Sequence, residues 1–299
     1  MTSHPTRLTT SPAQSGARVL RHFAVTRSLE VLALQAFPVI GAFLGGFSFG
    51  WPDACQLGLL VLGSLALTSH VFVFNDWAGH GGDIRDPRRA THTFVSEGIS
   101  RRQVANFAGA LLIFSCIAFA FLGWTSILIG AAIAVLSLLY SSSPRLGKGT
   151  PGVASLHHLA GGALQFLLGY TLFHPLDGVA ILPGLFFGLV FAAGHLNQEV
   201  RDYEGDRLNG IRTTAVVFGC RRAFLTSFCL FTAAYALLTT LASLGLLPGL
   251  LRWSPLLWAL HAAWFVQAIR QGLGYETALW MQRRYRLLFA LLGLAMLAR

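Results

Sequence analysis

The chain has 299 residues, of which 54% are hydrophobic and only 11% charged, with a formal net charge of +10. Soluble domains carry roughly 25% charged residues, so too little charge is present to cover a globule of this size and a single water-soluble fold is excluded. Apolar runs too long for buried core helices recur from residue 31 to the C-terminus, which predicts an all-α polytopic membrane protein.

The first stretch contains Ser, Thr and Pro with Arg7, Arg18, Arg21 and Arg27, and has no acid before Glu30. We read residues 1–28 as a flexible cytoplasmic tail in preference to a transit peptide, and residues 29–299 as a single transmembrane domain. No small-residue cleavage site follows a short apolar core, which argues against a secretory signal. Apolar segments then fall at 31–50, 54–76, 104–122, 124–141, 155–173, 180–198, 224–247, 254–270 and 284–298. Each approaches the roughly 20 residues that cross a hydrocarbon core of about 30 Å, so nine transmembrane helices are predicted.

With the N-terminus inside, all but Arg252 and Arg299 of the 22 Lys and Arg residues fall on inner segments. The excess of positive charge on one side fixes an N-in/C-out arrangement. Topology therefore accounts for the basic balance, and no nucleic acid is implied. Gly41 with Gly45, and Gly46 with Gly50, have the small-xxx-small spacing of close helix packing. Cys55, Cys116, Cys220 and Cys229 show no C-x-x-C spacing, so they read as core residues. His157 and His158 are adjacent, point about 100° apart on a helix, and read as polar helix packing.

Seven of the 12 acids sit in two short inner stretches: Asp76, Asp83 and Asp86 after the second segment, and Glu199, Asp202, Glu204 and Asp206 after the sixth. Carboxylates gathered at a membrane interface repel one another unless something positive lies between them. If the second helix continues through the first stretch, Asn75, Gly79 and Asp83 fall at i, i+4 and i+8 on one face, with Asp76 beside Asn75. The same logic sets Glu199, Asp202 and Asp206 on one face of the second stretch.

Oxygen-only ligands suit magnesium, which binds through one or two carboxylates plus substrate phosphates and keeps several waters. Two carboxylate faces beside several arginines, on inner loops at 76–103 and 199–222, describe a receptacle for a metal-bridged diphosphate. One D-x-x-x-D alone would read as a solvated, salt-bridged loop; two at matching places read as functional. Phe187, Phe191 and His195 lead at i+4 intervals to Glu199, and that stripe is expected on the wall of the substrate cavity.

From Arg27 onward the sequence resembles the UbiA superfamily of intramembrane prenyltransferases. The resemblance rests on Asp202 and Asp206 with the trailing Gly210, Arg212 and Thr213, and on Asn75, Asp76 and Asp83 with Pro87 and Arg89. It extends to the loop from Tyr140 through Ser143, Arg145 and Gly147 to Lys148. It implies nine helices around a central cavity, within a cell (inner) membrane, with the motif loops on the cytoplasmic side. Asn75, Asp76, Asp83, Asp202 and Asp206 would then hold two or more magnesium ions. Tyr140, Arg145, Lys148 and Arg212 would hold the diphosphate of a C15 or C20 isoprenyl substrate, whose tail lies among apolar helices. Magnesium and the cationic side chains neutralise the charge growing on the departing diphosphate, and aromatic faces stabilise the allylic cation.

One position departs from the family pattern. Gly79 stands where the prenyltransferase loop has its middle aspartate, and that form resembles the UbiA-type terpene cyclases, in which the cation is attacked by double bonds of the same isoprenoid. Intramolecular cyclisation is therefore the expected outcome. The alternative is transfer of the prenyl group to an aromatic or lipid acceptor. A non-enzymatic scaffold or transporter is opposed by the retained Asp202 and Asp206.

Overall fold

Glycine and proline divide the apolar runs into helices. In the structure, a computed structural model that describes residues 12–143 and 145–298, Gly50 is extended and Pro52 opens the following helix. Gly123 (φ +115°) separates two helices that would otherwise fuse. That positive φ is open to glycine and strained for L side chains, so the break expected at Gly123 is enforced by the backbone.

Twelve α-helices result among the described residues: α1 (Pro12–Leu34), α2 (Ala36–Leu44), α3 (Trp51–Asp83), α4 (Arg101–Leu122), α5 (Trp124–Ser142), α6 (Val153–Phe173), α7 (Gly178–Arg201), α8 (Tyr203–Leu208), α9 (Thr214–Phe218), α10 (Cys220–Ser243), α11 (Ser254–Gln271) and α12 (Tyr275–Met296). Each of the nine predicted segments lies on one of the long rods, with α1 and α2 together forming the first. Six rods are long and apolar enough to cross a membrane by length and composition: Gly16–Leu44, Trp51–Asp83, Arg101–Leu122, Trp124–Ser142, Gly178–Arg201 and Cys220–Ser243. α6, α11 and α12 have helical length but are diluted by polar groups, His157, His158 and Gln165 on α6 and Arg283, Arg284 and Arg286 on α12 among them.

Three boundaries differ from expectation. Residues 1–11 lie outside the described residues, but 12–28 of the expected tail belong to α1. Its Val19 and Phe23 are buried against Val73, Phe94, Val104 and Ala108, while Leu20, Val25, Leu29 and Leu32 face outward. A charged helix with one apolar seam binds its neighbours through that seam, so arginine content alone misleads here. The first apolar segment ends at Leu44 rather than residue 50, and α3 runs on past residue 76 to Asp83.

Close backbone approach holds α2, α6 and α7 together. A Cβ at Gly41 would lie 2.9 Å from the Tyr170 nitrogen, and one at Gly169 would run into the Pro38 carbonyl. A Cβ at Gly162 would meet Phe187 O at 2.7 Å, and one at Gly188 would meet Leu159 O at 2.5 Å. Helices in lipid pack by van der Waals contact across small residues, so Gly41 and Gly45 play the expected part. Gly46 and Gly50 do not: Gly46 (φ +101°) makes the turn after α2 and Gly50 caps α3.

Candidate active site

Both acidic stretches open onto one cavity of about 470 Å³. It is lined by Asn75, Asp76 and Asp83 from α3, and by Glu199, Asp202 and Asp206 from α7 and α8. α3 continues as a helix as far as Asp83, the case in which the spacing stacks Asn75, Gly79 and Asp83 on one face, and Asp86 lies beyond its end. The second stretch is less regular: α7 ends at Arg201, Asp202 forms the joint, and α8 begins at Tyr203. Asp206 N still donates to Asp202 O at 2.9 Å, which keeps the carboxylates of Asp202 and Asp206 on one side.

The two loops interlock. Asn209 Nδ2 donates to Gly82 O at 3.1 Å and to Gly205 O at 2.9 Å, tying the end of α3 to α8. A side chain at Gly205 would collide with the Asp86 carboxylate, so glycine there lets the loops close.

Arginines stand between the acids. Arg89 donates from Nη1 to Asp83 Oδ1 at 3.1 Å and from Nη2 to Asp202 Oδ2 at 2.7 Å, bridging the two motifs. Arg201 makes a two-pronged pair with Asp202, both contacts at 2.8 Å. From α1, Arg27 grips Asp76 with Nε at 2.9 Å and with Nη2. Burial alone would raise the Asp202 carboxyl, but Arg201 and Arg89 outweigh it and hold the group below the usual carboxylate range. Burial followed by the nearby Asp202 charge pushes the Asp206 carboxyl up to about 7. Asp206 is thus a carboxylate short of positive charge.

Lys148 and Tyr140 line the same cavity. Their loop is drawn tight by the Lys148 N–H donating to Tyr140 O at 3.0 Å. Gly147 is required in it, since a Cβ there would lie 2.8 Å from Tyr140 O. The gap left by Gly79 is filled by this lysine, because a Cβ at 79 would lie 3.1 Å from Lys148 Nζ and 3.7 Å from Asp83 Oδ2.

Other expected residues lie elsewhere. Arg145 and Arg212 are exposed and do not line the cavity. The cationic wall is built instead by Arg27, Arg88, Arg89 and Arg201. His195 and Glu199 line the cavity, but Phe187 and Phe191 do not. Phe187 is buried in the core, stacked on Phe166 at 5.1 Å, and Phe191 meets His158 at 4.9 Å. Each i+4 step overshoots a 3.6-residue turn by about 40°, so three steps carry Phe187 about 120° round α7 from Glu199.

The donor set is oxygen only and fits a hard divalent cation. Among the described residues no three acidic, imidazole or thiol side chains close into a complete metal site. A cation that takes one or two carboxylates and completes its shell with phosphate and water does not need one.

The UbiA prenyltransferase family model matches residues 36–292. A digeranylgeranylglyceryl phosphate synthase from Halobacterium salinarum is 32% identical over 216 residues, covering 68% of this chain and 71% of that protein. Among solved structures, a UbiA homologue from Archaeoglobus fulgidus bound to GPP and Mg2+ superposes with a TM-score of 0.70 at 19% identity. It covers 95% of this chain and 100% of that one. The same homologue bound to DMAPP and Mg2+ gives a TM-score of 0.70 at 18% identity, covering 93% and 99%.

Proposed function

The chain belongs to the UbiA prenyltransferase family, and from that premise we propose that it ionises an isoprenyl diphosphate and transfers the prenyl group to an acceptor. The observation that carries this reading is the convergence of the two acidic loops on one arginine-rich cavity, bridged by Arg89. Asn75, Asp76, Asp83, Asp202 and Asp206 would hold magnesium, which supplies charge neutralisation to the leaving diphosphate. Tyr140 and Lys148, with Arg27, Arg89 and Arg201 once the acids release them, would bind the diphosphate oxygens. Charge on those oxygens grows as the carbon–oxygen bond breaks, so these contacts strengthen in the transition state.

Cyclisation, expected from Gly79, is replaced by transfer because the relative matched over two thirds of its length is named a synthase of a digeranylgeranyl compound. We further propose that all nine rods span the bilayer, N-in and C-out, with the cavity mouth on the cytoplasmic face of the cell membrane. The substrate would be a C15 or C20 diphosphate and the acceptor an aromatic or lipid molecule.

The test is incubation of detergent-purified protein with magnesium and C10, C15 or C20 diphosphate, with and without acceptor, followed by extraction. Prenylated acceptor is expected only when both partners are present. A cyclic hydrocarbon or alcohol formed from the diphosphate alone would overturn the transfer reading.

A further inference from the structure

A hydroxyl acceptor that attacks C1 of an isoprenyl diphosphate becomes positively charged and must lose a proton. The acidic loops are poor recipients, since Asp76, Asp83, Asp202 and Asp206 are the carboxylates that would hold magnesium. Resting on the transfer reading above, we propose that His195 is the proton acceptor for a hydroxyl-bearing acceptor, with Glu199 as its supporting carboxylate.

His195 lines the same cavity as Asn75 and Asp202, yet only 6% of the residue is exposed. On α6 the Nδ1 atoms of His157 and His158 are tied to backbone carbonyls at 2.9 and 2.8 Å. His195 differs: its Nε2 is buried without a hydrogen bond and stands 3.2 Å from Glu199 Oε1, at ion-pair distance but off the hydrogen-bond line. The ring is held by its faces and edges. His158 stacks on it with centroids 3.8 Å apart and planes 5° from parallel, and Tyr140 meets it edge-on at 6.0 Å.

Glu199 is itself fixed. Its Oε2 accepts the Ala215 N–H at 3.1 Å, at the start of α9, and Thr214 Oγ1 lies 3.5 Å from its Oε1. Glu199 is also buried, so a proton arriving on His195 would create an imidazolium beside a preplaced carboxylate in a site shielded from water. A positioned base with such a partner is the arrangement that general-base chemistry requires.

The step balances as follows. A lone pair on the acceptor oxygen forms a bond to C1; the bond from C1 to the diphosphate oxygen breaks, and its electron pair leaves with diphosphate. The acceptor O–H proton passes to Nδ1 of His195, the ring nitrogen that is not buried against Glu199, and is later lost to solvent.

The test compares two nucleophiles in the full-length enzyme with magnesium and isoprenyl diphosphate. One is a glyceryl ether alcohol, which must lose a proton; the other is azide, which carries none. In His195→Gln the ratio of alcohol transfer to azide capture is expected to fall about 100-fold, within the range for loss of a general base. In Glu199→Gln it should fall about tenfold, and in His195→Ala added imidazole should restore it in part. Azide capture or diphosphate release in each variant reports that the protein is folded. An unchanged ratio in His195→Gln would overturn the inference and leave transfer itself standing, whereas wild-type protein that prenylates no acceptor would overturn the transfer reading.

Discussion

Replacing Gly79 by aspartate, the residue that prenyltransferase loops carry there, tests whether Lys148 serves the diphosphate. A Cβ at position 79 would lie 3.1 Å from Lys148 Nζ. That atom ends a flexible chain and can yield by a few tenths of an ångström, so the substitution should fold. The new carboxylate would pair with the ammonium at contact distance, one turn from Asp83. Diverting a charged hydrogen-bond donor from its substrate costs roughly 1.5–3 kcal/mol, and 1.4 kcal/mol is tenfold in affinity. Gly79→Asp should therefore raise KM for the isoprenyl diphosphate about 10- to 100-fold, measured as diphosphate release at saturating magnesium. Gly79→Ala adds no charge; it should leave KM within about twofold and stabilise α3 by about 0.5–1 kcal/mol through reduced backbone freedom. An unchanged or lowered KM in Gly79→Asp would refute the assignment of Lys148.

Three more predictions follow from the same geometry. Arg89→Gln leaves Asp83 and Asp202 without their shared partner; breaking a fully buried pair costs about 3–5 kcal/mol. Arg89 is 43% exposed, so a loss of about 1–2 kcal/mol is expected in thermal unfolding with EDTA, recovered in part by magnesium and diphosphate; no change would show that the bridge carries no stability. The Asp206 carboxyl is raised from an ordinary 3.8 to about 7, so its contribution to stability is full below pH 4 and is lost as pH rises through about 7. Metal-free protein should therefore be less stable at pH 8 than at pH 5.5, and Asp206→Asn should flatten that dependence; an equal slope in the variant would count against the raised value. Gly169→Ala drives a methyl group into the Pro38 carbonyl, an overpacking that costs upwards of about 1–3 kcal/mol. Monodisperse protein at wild-type yield from size-exclusion chromatography would show that α2 and α6 can separate.

Much of this arrangement was legible because it is local. The i+4 column on α3, the break at Gly123 and the paired acids of the second loop follow from helical spacing and backbone sterics within a few residues. What was hidden depends on contacts between distant segments. Arg27 and Asp76 are 49 residues apart, and nothing in an arginine-bearing N-terminal stretch marks which acid it will meet. Arg145 and Arg212 sit in motifs with plausible neighbours, yet their loops turn them outward, while Arg201 is aimed inward by the joint at Asp202. Of the stripe ending at Glu199, His195 reaches the cavity while Phe187 is carried into the core, because a strict four-residue repeat slides around the helix. Gly79 looked like a lost carboxylate until the fold brought a lysine from the α5–α6 loop over it.

The glycine seam joining α2, α6 and α7 restricts where such an enzyme can be altered. With backbone against backbone at Gly41, Gly162, Gly169 and Gly188, no carbon can be added on that side without prising rods apart, and none can be removed to make room. Side-chain volume can change more freely where helices meet through side chains, as α3 and α5 do around Leu60, Leu67 and Ile133. Variants that alter packing volume would be best confined to such positions.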